Sequence, residues 1–599
     1  MRTLRRPTAL AAALIVALPL SGCGIFGEDS GPRDVATQFV AAFAGGDGVT
    51  AASHTDAPDS AKALMDQVRE RLKPATVQAS VIEVAEAGDA DQTTARYSIT
   101  WDLGKGRNWT YESAFELRRG DDAWRVHWAP SVLHPKLSTG QSLAVQALES
   151  PLAPVLDRDG TPLLAPIRVI SVLFEKAKAG DADAVATTLA TALSRFDKAI
   201  TKKSILDGAA KAPAHTVVTL RETDYAQVKT AIYELPGVRF TSETRLLAPD
   251  RTFAPALVPT IRKQVEEVVS GKAGWRVHTV DSTGAEVEEL FAQDAEPADA
   301  VRTVLSVKTQ KAAENALKSE KNAAMLVAIQ PSTGEVLAVA QNPAADKQGQ
   351  LALTGRYPPG STFKVVTAAA AIDSGLVKAD TKVGCPATTT VDGRVIPNSN
   401  KFDKGTVPLH TAFAFSCNTT FADLAVKMEP GTLTGMAARL GVGVDFVIPG
   451  VTTITGAVPP AEDVVERAED GFGQGKVVAS PFGMALMTST VASGRMLPPT
   501  LMSGASTEAN MTPELVPDAV LAPVRQMMRE VITGGTSTVL NRFDGLHGKT
   551  GTAQFGDGTR SHGWFVGFRG DLAFAVLVVD GGTSGRAVSA TGRFLDGVG

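Results

Sequence analysis

Cysteine is scarce. The 599-residue chain holds three, Cys23, Cys385 and Cys417. With Cys23 set aside, two thiols do not make a disulfide scaffold in a chain this long, and without clustered partners they offer no structural zinc site. A bridge between Cys385 and Cys417 is the less expected arrangement. Charge of one sign is also lacking: 59 basic residues face 64 acidic ones, formally -5, with no basic tail or acidic block. That leaves no electrostatic footprint for nucleic acid. No heptad array, repeat or low-complexity tract points to a fibrous protein. Tyr and Trp are few, at five and six. Four tryptophans, Trp101, Trp109, Trp124 and Trp128, fall in one stretch at strand periodicity, which reads as core packing rather than a ligand groove.

No apolar run comfortably reaches the roughly 20 residues that span a bilayer. The N-terminus instead carries Arg2, Arg5 and Arg6, then "PTALAAALIVALPL", then Ser21, Gly22 and Cys23. A basic head, a short apolar run and small residues read as an export signal. Leu20-Ser21-Gly22-Cys23 resembles a bacterial lipobox, which implies cleavage before Cys23, lipidation of that residue, and a body anchored at the extracytoplasmic face of the cell membrane. An ordinary signal peptide or an uncleaved anchor is the alternative.

The length implies roughly three or four domains. After the signal at 1–23 and a tether at 24–32, residues 33–137 show two helical stretches followed by alternating strands, a helix-plus-curved-sheet domain. Residues 138–300 read as a mixed, elongated support domain with a hairpin near Asp159 and Gly160. Residues 301–599 change texture. "AAMLVAIQPSTGEVLAVAQNP" is an apolar hairpin turning at Ser332-Thr333-Gly334, and "LHGKTGTAQF", "SHGWFVGFRG" and "LAFAVLVVD" supply three more strands more than 200 residues later. The expected arrangement is a five-stranded antiparallel sheet drawn from both ends of the domain and covered by helices, within a multidomain α+β chain.

Three short motifs carry chemistry. In "RYPPGSTFKVVTAAAA" the prolines and glycine halt the chain, and a helix is expected to begin near Ser361. Residues three apart share a helix face, so a neutral Lys364 there takes the proton of Ser361, beside the free amides of a helix start. The plainer reading makes Ser361 an N-cap. In Ser416-Cys417-Asn418, Ser416 is placed to relay a proton and Asn418 to hold Lys364 or a substrate amide, unless this is only a helix junction. In Lys549-Thr550-Gly551-Thr552, Lys549 supplies positive charge, the two threonines bind a carboxylate, Gly551 permits close approach, and the Thr552 amide faces that of Ser361 across an oxyanion. The spacing around "GLHGKTGT" does not fit a phosphate loop. His547 and His562 read as strand packing or substrate contact rather than as general bases, and Asp557, Asp580 and Glu469 form no catalytic carboxylate pair.

In this order the three motifs resemble the signature of penicillin-binding proteins and serine beta-lactamases. The Met325 to Pro343 hairpin, "GRYPPGSTFK", and the stretch from "GFGQG" to "SPFGMA" are closest to class B penicillin-binding proteins, in which Gly473-Gln474-Gly475 and Ser480-Pro481 would line or brace the cleft. "WRVHWAPSVLHPKL" resembles the end of the NTF2-like domain of the methicillin-resistance branch, and "LDRDGTPLL" its non-catalytic, dimerisation-like segment, although Ala153-Pro154 stand where that family usually has Arg-Gly. The resemblance implies a peptidoglycan D,D-transpeptidase that needs no cofactor or metal. Its donor would be a stem peptide ending in D-Ala-D-Ala, its inhibitors beta-lactams, and its partners a glycosyltransferase or a cell-wall synthesis complex. Ser361, Lys364, Ser416, Asn418 and Lys549 would be catalytic, Thr550, Gly551 and Thr552 substrate-binding, and the amides of Ser361 and Thr552 the oxyanion donors. A carboxypeptidase or endopeptidase, a beta-lactamase, and a beta-lactam sensor or scaffold are the other readings of the same motifs.

Overall fold

A computed structural model of the protein describes residues 31–599 other than 88, 89 and 122. The export signal, the lipobox with Cys23 and nearly all of the tether lie outside the described residues. Among the described residues no helix is long and apolar enough to cross a membrane.

The chain forms two compact units. In the first, the helices Pro32–Gly45 and Pro58–Leu72 accompany a meander of four strands, Thr76–Val84, Gln92–Asp102, Asn108–Arg119 and Trp124–Val126. Inward residues alternate along the meander. Trp101, Trp109 and Trp124 are buried with Phe39, Phe43 and Phe115, so the tryptophans are core, as their periodicity implied. Trp128 is packed against that core, partly buried.

One expectation is corrected here. Residues 138–300 are not one body. Ser142–Leu148 pairs with Gly274–Val280, which pairs with Glu286–Gln293, and this three-stranded sheet belongs to the first unit. Trp275 and Val277 enter the same core as Trp101. Residues 150–272 instead join the second unit, where Val155–Leu156 runs parallel to Val301–Arg302 and buried Asp157 accepts from the Val307 amide at 3.0 Å.

The central sheet of the second unit has five strands: β1 (Ala324–Ile329), β2 (Val336–Gln341), β3 (Leu546–Phe555), β4 (Arg560–Arg569) and β5 (Leu572–Val578). Its order is β2-β1-β5-β4-β3, antiparallel throughout, so the two ends of the domain meet at β1 and β5, with Ala328 opposite Phe574. Every residue of β1 and β2 is buried, which explains their continuous apolar runs. β3 is an edge strand. Between β2 and β3 lie α1 (Lys364–Asp373), α2 (Asn418–Lys427), α3 (Val464–Asp470) and α4 (Pro481–Ser493). Ser480 caps α4 by accepting from the Gly483 amide at 2.9 Å, a bracing role for Ser480-Pro481.

Candidate active site

The chain reaches the site through Pro358 and Pro359. Gly360 has φ +53°, and a side-chain carbon there would lie 2.7 Å from the Thr552 carbonyl oxygen, so glycine lets this turn rest against β3. Residues Gly360–Phe363 form a 3-10 turn and the α-helix begins only at Lys364. Ser361 is therefore one turn earlier than a simple helix start. Its side chain caps no backbone amide; it meets the amine of Lys364 at 3.0 Å instead.

Lys364 is fully buried. Besides Ser361 Oγ, its Nζ contacts the Ser416 carbonyl oxygen at 2.8 Å, Ser416 Oγ at 3.2 Å and Asn418 Oδ1 at 2.7 Å. The Asn418 amide is oriented by its other end, where Nδ2 donates to the Pro397 carbonyl at 3.0 Å. A carbonyl and an amide oxygen can only accept, so they take two N–H bonds, and in the neutral amine the lone pair is left for the Ser361 hydroxyl. Burial, then the charge of Lys549, holds the Lys364 amine well below the ordinary lysine range.

Lys549, on β3, is also fully buried and donates to Ser416 Oγ at 2.9 Å and the Thr550 carbonyl at 3.0 Å. Burial pushes its amine down to about 7. The amines sit over the rings of Phe421 and Phe413 respectively, each 5.6 Å from the centroid, and Ser416 Oγ bridges them. Ser416 holds φ +63°, a strained conformation for a residue with a side chain.

Thr550 Oγ1 pairs with Thr536 Oγ1 at 2.7 Å, and Thr552 is exposed at the cleft. Gly551 does permit close approach, but of the protein itself: a side-chain carbon there would lie 2.9 Å from both the Pro359 carbonyl and Thr362 Cγ2. The cleft measures about 1240 Å³, and Ser361, Ser416, Asn418, Thr550 and Thr552 all line it. His562 lies outside the amine cluster, stacked on Phe555 at 4.1 Å, and His547 stacks on Phe568 at 4.4 Å. Among the described residues no cluster could hold a metal ion.

Comparison with known families decides the classification. Residues 324–594 match the penicillin binding protein transpeptidase domain, and residues 31–141 match the NTF2-like N-terminal transpeptidase domain. Penicillin-binding protein 3 of Bacillus subtilis strain 168 is 24% identical over 571 residues, covering 82% of this chain and 83% of the relative. Peptidoglycan D,D-transpeptidase PbpA of Mycolicibacterium smegmatis is 28% identical over 344 residues, 49% of this chain and 70% of the relative. The chain belongs to the class B penicillin-binding proteins. A solved complex between Penicillin-Binding Protein (PBP2) and MreC from Helicobacter pylori shares the fold, with a TM-score of 0.58 at 18% identity over 76% of this chain and 98% of that one.

In this penicillin-binding protein, sequence reasoning was wrong about the thiols. Cys385 and Cys417 form a disulfide, their Cα atoms 5.9 Å apart. The bond ties the strand Lys382–Cys385 to the residue between Ser416 and Asn418. Two hydroxyls reinforce it: Thr420 Oγ1 donates to the Gly384 carbonyl at 2.6 Å and Thr419 Oγ1 to that of Pro386 at 3.1 Å. Sequence reasoning also missed Thr536 and Pro397, which reach the site from positions far from any motif.

Asp470, at the end of α3, is a buried carboxyl that accepts from the Lys476 amide at 3.1 Å and closes the loop that carries Gln474. Burial is the main cause raising its pKa to about 7, with Glu466 and Glu469 adding to the effect. A raised carboxyl pKa favours the neutral form in the fold. Its stabilising contribution is complete below the ordinary value of 3.8 and is lost as pH rises through about 7. Asp470→Asn is expected to gain in unfolding temperature relative to the wild type as pH rises between those limits; parallel thermal melts across the range check it, and a constant difference would refute it.

Proposed function

We propose that Ser361 is the nucleophile through which this peptidoglycan D,D-transpeptidase cross-links stem peptides. The observation that carries the reading is the buried Lys364 amine, directed at Ser361 Oγ at 3.0 Å with its other bonds on fixed acceptors. Neutral Lys364 takes the hydroxyl proton as Oγ attacks the carbonyl of the penultimate D-Ala. The amides of Ser361 and Thr552 hold the oxyanion. The carbon–nitrogen bond then breaks, and the departing D-Ala amine takes a proton from Lys364 through Ser416 Oγ, which touches both lysines. Charged Lys549, with Thr550 and Thr552, binds the terminal carboxylate. An amine of a second stem attacks the ester, and its proton passes to Ser361 as the cross-linked peptide leaves. A beta-lactam enters by the first half of this route and stays on Ser361.

Cys23, as a lipidated N-terminus, would hold the protein at the extracytoplasmic face of the membrane. Its partners would be cell-wall synthesis proteins, a reading supported by fold relatives solved as a complex with MreC and as part of a peptidoglycan synthase complex.

Intact and peptide-level mass spectrometry after exposure to a penicillin tests the assignment. The expected result is one adduct, on Ser361, absent from Ser361→Ala. An adduct elsewhere, or no adduct and no drug turnover, would sink it; rapid drug loss without an adduct would instead indicate a beta-lactamase.

A further inference from the structure

The loop of residues 471–475, "GFGQG", grips both sides of the oxyanion site. Its Gly473 carbonyl accepts from the Gly360 amide at 2.8 Å, one residue before Ser361. Gly473 has φ +76°, and a side-chain carbon there would lie 2.1 Å from the Gly360 carbonyl oxygen, so only glycine allows the contact. The next residue reaches the other way. With its amide oriented to satisfy both partners, Gln474 donates to the Gln554 carbonyl at 3.2 Å and accepts from the Gln554 amide at 3.1 Å.

Strand geometry says what that second grip controls. Alternate residues of a strand present their N–H and C=O groups on the same edge. Gln554 therefore shares the free edge of β3 with Thr552 and Thr550. The Thr550 carbonyl accepting from Lys549, and the Thr552 carbonyl lying against Gly360, agree with this parity. The loop is itself anchored, because Thr367 Oγ1 of α1 donates to the Gly471 carbonyl at 2.8 Å and the Gln474 amide to the Glu469 carbonyl at 3.0 Å.

We propose that Gln474 is a positioning residue for acylation: through Gln554 on one side and Gly473 on the other, it sets the spacing between the Ser361 and Thr552 amides. The inference rests on Ser361 being the nucleophile. Gln474 lines the cleft but hydrogen-bonds neither the nucleophile nor its base, and the two bonds that its side chain makes run to the Gln554 backbone, so its effect falls on the covalent step more than on encounter with the drug or peptide.

Acylation of the full chain by a chromogenic penicillin, followed over a range of concentrations, separates the saturation constant from the first-order acylation constant. Gln474→Leu keeps the volume and removes both bonds. It is expected to lower the first-order constant by about tenfold to a hundredfold, the size of effect that small misplacements of reacting groups produce, while the saturation constant and unfolding temperature stay near wild type. Gln474→Glu provides a check that does not depend on how well the leucine variant folds. As a carboxylate it cannot donate to the Gln554 carbonyl, but once protonated it can, so its rate relative to wild type is expected to climb as pH falls towards about 5. A wild-type acylation constant in Gln474→Leu, a loss confined to the saturation constant, or a Glu-to-wild-type ratio flat with pH would overturn the inference. If the wild type shows no adduct on Ser361, the nucleophile assignment falls first and this inference with it; if the wild type is acylated and Gln474→Leu matches it, only the role of Gln474 is lost.

Discussion

Lys364→Met is expected to slow penicillin acylation of Ser361 by roughly a thousandfold, within the range that a positioned general base contributes. Methionine is the informative substitute because the site is fully buried and walled by Phe421. It fills most of the space left by the lysine stem, so the loss reads the amine rather than a cavity. Arginine would be a poorer mimic than its charge suggests, since a guanidinium never gives up its proton at accessible pH and cannot take one from Ser361. In the wild type the acylation rate is expected to rise as Lys364 loses its proton, at a pH well below that of an ordinary lysine, because burial and the neighbouring Lys549 disfavour its charge. Stopped-flow acylation across pH checks both statements. A methionine variant within tenfold of wild type would remove Lys364 from the base role.

The second large effect is expected from the disulfide. Replacing Cys385 and Cys417 by alanine opens a loop closed across 32 positions, and a cross-link of that span contributes about 4 kcal/mol in the chain-entropy account. At about 2.1 cal/mol/K of unfolding entropy per residue, a domain of roughly 300–400 residues would fall by about 4–6 °C in unfolding temperature. Function should suffer as well. Cys417 stands between the two residues whose oxygens hold Lys364, and Ser416 keeps its positive φ only while its surroundings compel it. Acylation of the double variant is expected to slow by about tenfold at temperatures where it remains folded, in line with small displacements of reacting groups. Melting curves and acylation rates, with and without a reductant for the wild type, test this; a reduced wild type that melts and reacts like the oxidised one would refute it.

What the sequence made legible was local. Ser361 and Lys364 are three residues apart, Ser416 and Asn418 two, and the Lys549 motif lies on one strand, so spacing alone brought the members of each group together. What joined the groups was tertiary and left no local mark. The disulfide links positions on separate elements, and counting thiols argued against it. The grip of Gln474 on Gln554 depends on two stretches 80 residues apart meeting edge to edge. The single support domain expected over 138–300 failed for a similar reason, because the first unit recovers residues 273–295 after a long excursion. A faint sign was present: Trp-Arg-Val-His occurs at 124–127 and again at 275–278, and Trp124, Val126, Trp275 and Val277 all enter one core.

The catalytic sheet is assembled from strands separated by some two hundred residues of helix and cleft. During synthesis, β1 and β2 emerge as an apolar hairpin whose neighbour, β5, does not yet exist. Until residues 572–578 arrive, β1 presents an open, hydrophobic edge able to pair with another chain. Contacts of such long sequence separation also form slowly. A nascent chain stalled short of β5 is therefore an incomplete sheet that invites aggregation, and secure folding of the catalytic unit waits on its last strand.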